Sequence, residues 1–311
     1  MMRCLVTGGA GFIGSNIARE ALVRGHEVRI LDDFSTGRWS NLSDIGPHVE
    51  LVEGDLRCYE TVRKAVEGIE VVFHEGALPS VPRSISDPLA SNAVNVDGSL
   101  HVLRAARDAG CRRVLFASSS SIYGDAPEQV KSESLPHRPL SPYAVGKMAA
   151  EEYFRVFHRI YGLETVALRY FNVFGPFQDP DSPYAAVIPL FVKAFSEGRP
   201  PVINGSGEQS RDFTFIDNVV LANFLAADAP GAPGLVMNIA CGDSITVNRM
   251  ATDISALLGK ADIQPQHAPA RPGDVMHSRA DISLAHAVLG YSPVVTFEAG
   301  LARTVGFLTR M

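Results

Sequence analysis

The chain has 311 residues, 46% apolar and 20% charged, enough to bury a large core as one α/β domain or two intimate ones and too apolar for a disordered chain. A formal charge of −6, with no basic run longer than Arg112 and Arg113, argues against a nucleic-acid or anionic-membrane surface. No apolar stretch nears the ~20 residues of a membrane span.

Only Met1, Met2 and Arg3 precede the first apolar run, which leaves no room for a signal peptide. Cys4, Cys58, Cys111 and Cys241 are scattered without C-x-x-C spacing, so the expectation is a cytoplasmic protein with reduced thiols and no metal site. Short β-branched runs then predict strands at residues 4–7, 27–31, 49–53, 71–74 and 113–118, with a sixth at 165–170. Between them, residues 16–24 and 93–109 carry apolar side chains at helical spacing, as at Val94, Leu100, Val102, Leu103 and Ala106. That alternation means βαβ units and a parallel sheet.

After Phe171 the chain becomes rich in Pro, Gly and Asp over residues 175–183, followed by a predicted helix at 188–197, then Pro200 and Pro201. Residues 264–274 form a second loop-rich stretch, and a helical pattern closes the chain at 297–308. The predicted fold is α/β, a Rossmann-type doubly wound parallel sheet over residues 1–172 with a returning segment near 212–240. Residues 173–211 and 241–311 are expected to form a smaller C-terminal domain.

Thr7-Gly8-Gly9-Ala10-Gly11-Phe12-Ile13-Gly14 follows the first strand at once and opens the first helix. Glycines at 8, 11 and 14 let the backbone turn tightly and approach a pyrophosphate, and the helix N-terminus adds unpaired N–H groups. Standing alone, such a turn is also compatible with no ligand. The second strand ends at Asp32, about twenty residues past the glycines, where a carboxylate accepts hydrogen bonds from ribose hydroxyls and repels a 2′-phosphate. NAD is thereby favoured over NADP; Asp33 is a rival for the role, and a plain turn is the alternative for either.

Tyr143-Ala144-Val145-Gly146-Lys147 sets a phenol and an ammonium four apart on one face of a predicted helix spanning 143–160, entered by Leu140-Ser141-Pro142. An ammonium and a positive nicotinamide ring favour the phenolate, lowering the tyrosine pKa so that it can act as a general base. Ser118-Ser119-Ser120-Ser121 ends the fifth strand at the sheet edge where doubly wound folds bind ligands. Taken singly, any of these serines also reads as a polar loop residue, and the Tyr-Lys pair as an exposed helix face.

With the glycine turn, Ser119 to Tyr123-Gly124, Ser141-Pro142-Tyr143 to Lys147, and Leu168-Arg169-Tyr170-Phe171-Asn172 in this order, nearly the whole chain resembles the extended short-chain dehydrogenase/reductase family, in particular its UDP-hexose 4-epimerases. The resemblance implies NAD as cofactor and Ser119, Tyr143 and Lys147 as the catalytic group. It places NAD against Gly8, Gly11, Phe12, Ile13, Gly14, Asp32, Asp33, Phe34, Ser35, Thr36, Gly37, Asp55, Leu56, Gly76, Ala77, Asn95, Tyr143, Lys147 and Phe171. It places a UDP-sugar against Arg83, Ser84, Ser119, Ser120, Ser121, Tyr143, Asn172, Ala186, Val187, Val202, Asn204, Arg211, Arg271, Asp274 and Ser278. The C-terminal domain would be the substrate-binding one. The helices at 93–109 and 143–160 would pair in a homodimer, as in relatives.

Among the family's reactions, dehydratases resemble Thr-Asp-Glu at the serine run and decarboxylases carry a glutamate where Ser121 stands; this chain has no carboxylate there. Epimerisation needs none. A reductase with net cofactor turnover, a UDP-glucuronate epimerase and a non-catalytic NAD-binding protein are the remaining alternatives. Galactose-type epimerases place a tyrosine where counting along Arg271-Pro272-Gly273-Asp274 arrives at Ser278 here. The small residue leaves room for an N-acetyl group, so interconversion of UDP-N-acetylglucosamine and UDP-N-acetylgalactosamine is the expected reaction, with UDP-glucose a further substrate. Residues 80–85 and 184–189 share that likeness. Glu75 and Pro79 depart from the family pattern. His74, His158 and His277 have no ligand-like spacing.

Overall fold

The computed structural model describes residues 1–182, 185–270 and 275–310. In its first half lie strands β1 (Arg3–Thr7), β2 (Glu27–Asp32), β3 (Glu50–Glu53), β4 (Val71–His74), β5 (Arg113–Ser119), β6 (Val130–Lys131) and β7 (Glu164–Tyr170). The helices among them are α1 (Phe12–Val23), α2 (Tyr59–Ala65), α3 (Val81–Ser86), α4 (Pro88–Asn92), α5 (Gly98–Asp108) and α6 (Pro142–Tyr161). The second half adds β8 (Val173–Phe174), β9 (Val202–Asn204), β10 (Ser210–Arg211), β11 (Thr214–Phe215), β12 (Val236–Ile239), β13 (Ile245–Thr246), β14 (Gln266–Ala268) and β15 (His277–Ala280). Its helices are α7 (Val187–Ser196), α8 (Ile216–Asp228), α9 (Val247–Leu257), α10 (Ser283–Leu289) and α11 (Phe297–Leu308).

Seven strands pair in parallel in the order β12-β7-β5-β4-β1-β2-β3. The order reverses direction between β1 and β4, which opens a crevice at the carboxyl ends of those strands. Alternate side chains feed two cores: Cys4 and Val6 enter one with α1 and α8 residues such as Ile17 and Phe224, while Leu5 enters the other with Phe116 and Phe154. A four-stranded sheet, β13-β10-β15-β6, draws Val130 and Lys131 from the first half against the C-terminal part of the chain.

The six predicted strands form within a residue or so of their expected bounds. The helix expected at 93–109 is part of a longer one: α4 runs through a π-helical stretch at Ala93–Asp97 into α5. Inside the loop-rich stretch, Gln266–Ala268 becomes a strand because it finds β9 as a partner. Such two- and three-residue strands have no periodicity of their own, and only tertiary pairing creates them. α6 is delimited as its sequence suggests: Ser141 Oγ accepts the Ala144 N–H at 3.2 Å, Pro142 occupies the first turn, and Gly162 ends the helix at φ +70.

Candidate active site

A cavity of about 950 Å³ follows the carboxyl ends of the large sheet. At one end Gly8 turns at φ +66, and a Cβ there would stand 2.7 Å from the Gly76 backbone; a Cβ on Gly14 would stand 2.3 Å from the Gly8 carbonyl oxygen. Only glycine fits either place. α1 starts directly behind this turn with Gly11 as N-cap, without a capping side chain or an acidic residue in its first turn. Its first N–H groups are therefore left for an anion. Asp32 Oδ2 accepts the Ala10 N–H and Oδ1 the Phe34 N–H, both at 2.8 Å, so the carboxylate is oriented while each oxygen keeps a lone pair. This cradle fits the diphosphate and ribose of a dinucleotide.

Gly8, Gly11, Phe12, Ile13, Gly14, Asp32, Asp33, Ser35, Thr36, Asp55, Leu56, Gly76, Ala77, Tyr143 and Lys147 all line the cavity. Four residues expected at the coenzyme make contacts within the protein. Phe34 stacks on Trp39 at 4.2 Å, Gly37 sits where a Cβ would meet Asp32 Oδ1, and Phe171 is fully buried beside Tyr123. Asn95, on the π-helical stretch, directs its amide to Leu78, accepting from its N–H at 2.8 Å and donating to its carbonyl at 3.2 Å. It thus fixes the loop carrying Gly76 and Ala77.

On the other side, Arg83, Ser119, Ser120, Ser121, Asn172, Ala186, Arg211 and Ser278 line the same cavity. Ser84 does not: its buried hydroxyl accepts the Tyr143 N–H at 3.1 Å and donates to the Val81 carbonyl, so it seats the start of α6. Val187 opens α7, and Val202 and Asn204 pair in β9 with Gln266 and Ala268. Arg271 and Asp274 lie outside the described residues. Arg211 and Ser278 are cross-strand partners in β10 and β15, an adjacency of residues far apart in sequence.

Between the two ends, the Ser119 hydroxyl accepts the Ser121 N–H at 3.2 Å, and Ser119 and Tyr143 line the same cavity. Lys147 Nζ donates to the Ala117 carbonyl at 2.7 Å and lies 6.0 Å from the Tyr143 ring centre. The expected depression of the tyrosine pKa is not supplied by the chain alone. Burial pushes the Tyr143 phenol up, with the Ser119 hydroxyl opposing, and pushes the Lys147 ammonium down to about 8. The lysine's charge is engaged first by a backbone carbonyl.

Sequence reasoning missed the polar network behind this wall. Glu151, wholly buried, accepts hydrogen bonds from Arg169 Nε at 3.0 Å and Ser118 Oγ at 2.7 Å, and Arg169 Nη1 donates to Tyr123 Oη, which donates to Asn238. His137 with Glu151 and Glu152 has metal-like spacing, but Arg169 Nη2 already hydrogen-bonds both His137 and Glu151 there. His74 bridges Thr7 and Ser99 inside the core, and burial pushes its pKa down to about 3, so it is a neutral structural histidine. Asp212 binds three backbone N–H groups, those of Cys241, Gly242 and Ala280. A buried Arg in a strand and an Asp beside an Arg were the available signals.

The doubly wound sheet, glycine cradle and Tyr-Lys helix define an extended short-chain dehydrogenase/reductase. The chain belongs to the NAD dependent epimerase/dehydratase family, which it matches over residues 4–240. It is 40% identical over 310 residues to a UDP-glucose 4-epimerase of Mycolicibacterium smegmatis, covering 98% of both chains. Among solved structures it is similar to a UDP-N-acetylglucosamine 4-epimerase from Methanobrevibacter ruminantium in complex with UDP-N-acetylmuramic acid, at TM-score 0.94 and 42% identity over 100% of this chain and 99% of that one. A UDP-glucose 4-epimerase of Thermus thermophilus in complex with NAD follows at TM-score 0.89 and 36% identity, with 99% of each chain covered. No helix among the described residues is long and apolar enough to cross a membrane.

Proposed function

We propose that this chain is an NAD-dependent UDP-sugar 4-epimerase whose preferred pair is UDP-N-acetylglucosamine and UDP-N-acetylgalactosamine. The observation that carries the reading is one cavity joining the glycine cradle, Ser119 with Tyr143 and Lys147, and the Arg211–Ser278 strand pair. The first N–H groups of α1 would hold the coenzyme diphosphate, Asp32 the adenosine ribose, Asp55 the adenine and Lys147 the nicotinamide ribose. Asp32 would repel a 2′-phosphate. Bound NAD supplies a hydride acceptor for sugar carbon 4 and returns the hydride, so turnover consumes none.

The chain's own groups then handle the proton. Tyr143 accepts it from the 4-hydroxyl and gives it back, and Ser119 bridges sugar and phenol. Arg211 and Arg271 suit the substrate diphosphate, and Asp274 the uridine ribose. The sugar must present both faces of carbon 4, which a cavity of about 950 Å³ shared by two nucleotides accommodates. The short Ser278 and Ala186 side chains favour an N-acetyl substituent. Val145, Tyr153, Val156 and Ile160 leave one apolar face of α6 exposed, which supports a homodimer pairing this helix. The four free cysteines accord with a cytoplasmic protein.

The test is separate incubation of the NAD-loaded protein with UDP-glucose, UDP-glucuronate, UDP-N-acetylglucosamine and UDP-N-acetylgalactosamine, followed by chromatography. Conversion of the two N-acetylated sugars into each other without added coenzyme is expected. Inertness towards all four would end the epimerase reading; conversion of UDP-glucose alone would end the N-acetyl assignment.

A further inference from the structure

Glu75 follows the last residue of β4, on the sheet edge that the cavity occupies, and lines the cavity. Its Oε1 accepts a hydrogen bond from Tyr170 Oη at 3.0 Å, and Tyr170 Oη accepts in turn from Asn223 Nδ2 at 2.8 Å. Oε2 is buried with no hydrogen-bond partner. A carboxyl held by one hydrogen bond with its second oxygen orphaned is costly, and an apolar residue of similar size would avoid the cost.

The neighbouring strand end gives the carboxyl a purpose. His74 pairs with Phe116 in the β4–β5 register, so the next residues, Glu75 and Ala117, stand beside each other at the strand ends. The Ala117 carbonyl is the group that Lys147 Nζ grips. We infer that Glu75 is a positioning residue that acts as counter-charge to Lys147 across the ends of β4 and β5, keeping the ammonium protonated beside Tyr143. The titratable groups bearing on Glu75 are Tyr170 from β7 and Lys147 from α6; those bearing on Lys147 are Glu75 and His74 from β4, and Tyr143 on its own helix.

The electrostatics agree in sign. Burial pushes Lys147 down to about 8, and the Glu75 charge is the opposing influence. Burial pushes Glu75 up to about 7, opposed by the Tyr170 hydrogen bond and by Lys147. The counter-charge is therefore present above about pH 7 and neutralised below it, so the pair couples the lysine to pH in the neutral range.

This inference rests on the catalytic reading of Tyr143 and Lys147, and its test separates the two. In Glu75→Gln the alkaline limb of kcat should move down by about half a pH unit, a loss of about threefold on that limb, with KM nearly unchanged and the two profiles converging below about pH 7. NMR titration of side-chain-labelled lysine, assigned through Lys147→Arg, should show the same downward shift in the NAD-loaded protein. An unmoved limb and an unmoved lysine titration, with only stability altered, would overturn the proposal. Should Glu75→Gln not fold, Tyr170→Phe removes the bond favouring the carboxylate and should move the acid-side transition to higher pH; no movement counts equally against it. Absence of turnover with every UDP-sugar would defeat the epimerase reading, while the lysine titration would still judge this one.

Discussion

The two ends of the cavity are built by different means. At the glycine turn, backbone does most of the work: Gly8 and Gly14 are where a Cβ cannot go, the start of α1 leaves its N–H groups open, and Asp32 is aimed by the N–H groups of Ala10 and Phe34. At the sugar end, short strands from distant parts of the chain meet, β10 beside β15 and β13, and β15 beside β6. A site written in consecutive residues tolerates change elsewhere; one assembled from distant pieces depends on whatever fastens them.

The junction between the two ends gives the largest expected effect. Tyr143→Phe removes the phenol that the proposed mechanism uses as its base, and kcat should fall about 10²–10⁴-fold. Because the tyrosine's backbone is held by Ser84 and the Ser141 cap, not by its hydroxyl, the melting temperature should hardly change. A variant retaining more than about a tenth of the wild-type rate would show that proton transfer runs through another group.

Asp212 fastens the sugar end. Its oxygens accept the N–H groups of Cys241 and Gly242, which follow β12 of the large sheet, and of Ala280 in β15 of the small one, at 3.0 to 3.1 Å. Asp212→Asn turns an amide N–H₂ towards at least one of those donors, a loss of about 1–3 kcal/mol in denaturant unfolding. Burial outweighs these hydrogen bonds and pushes the carboxyl from 3.8 up to about 6. A raised acid contributes stability that is full below the unfolded value and lost as pH rises through the folded one. The penalty of the substitution should accordingly be larger at about pH 4 than at about pH 7. An equal penalty at both would mean the carboxyl keeps its charge throughout.

This contrast also explains what could be read from residues alone. The strands, the parallel sheet, the glycine turn and the Tyr143 helix declare themselves through periodicity and adjacent residues. Asn95 and Ser84 hold other parts of the site in place and Phe171 is buried, and a likeness of motif gives no sign of such supporting contacts. The Glu151–Arg169–Tyr123–Asn238 chain and the Asp212 clasp were unreadable, since each joins elements whose adjacency only the folded sheet creates.

The smallest effect is the most discriminating. Ser278 lies on β15 opposite Arg211, and Val275 and Ala186 line the same cavity. Ser278→Tyr adds a ring without breaking a fastening of the Asp212 kind, so the fold should persist and only the room beside the sugar should shrink. Loss of fit for one substituent is worth about 1–3 kcal/mol, which predicts a roughly 10- to 200-fold fall in kcat/KM for UDP-N-acetylglucosamine and a much smaller one for UDP-glucose. Equal losses for both would mean the new ring obstructs the diphosphate near Arg211 and not the sugar. Unchanged preference would shift selectivity to other residues lining the cavity, such as Arg83. Either outcome would show that the strand pair supplies the grip on the nucleotide while the choice of sugar is made elsewhere, which is the division of labour the long-range construction of this end permits.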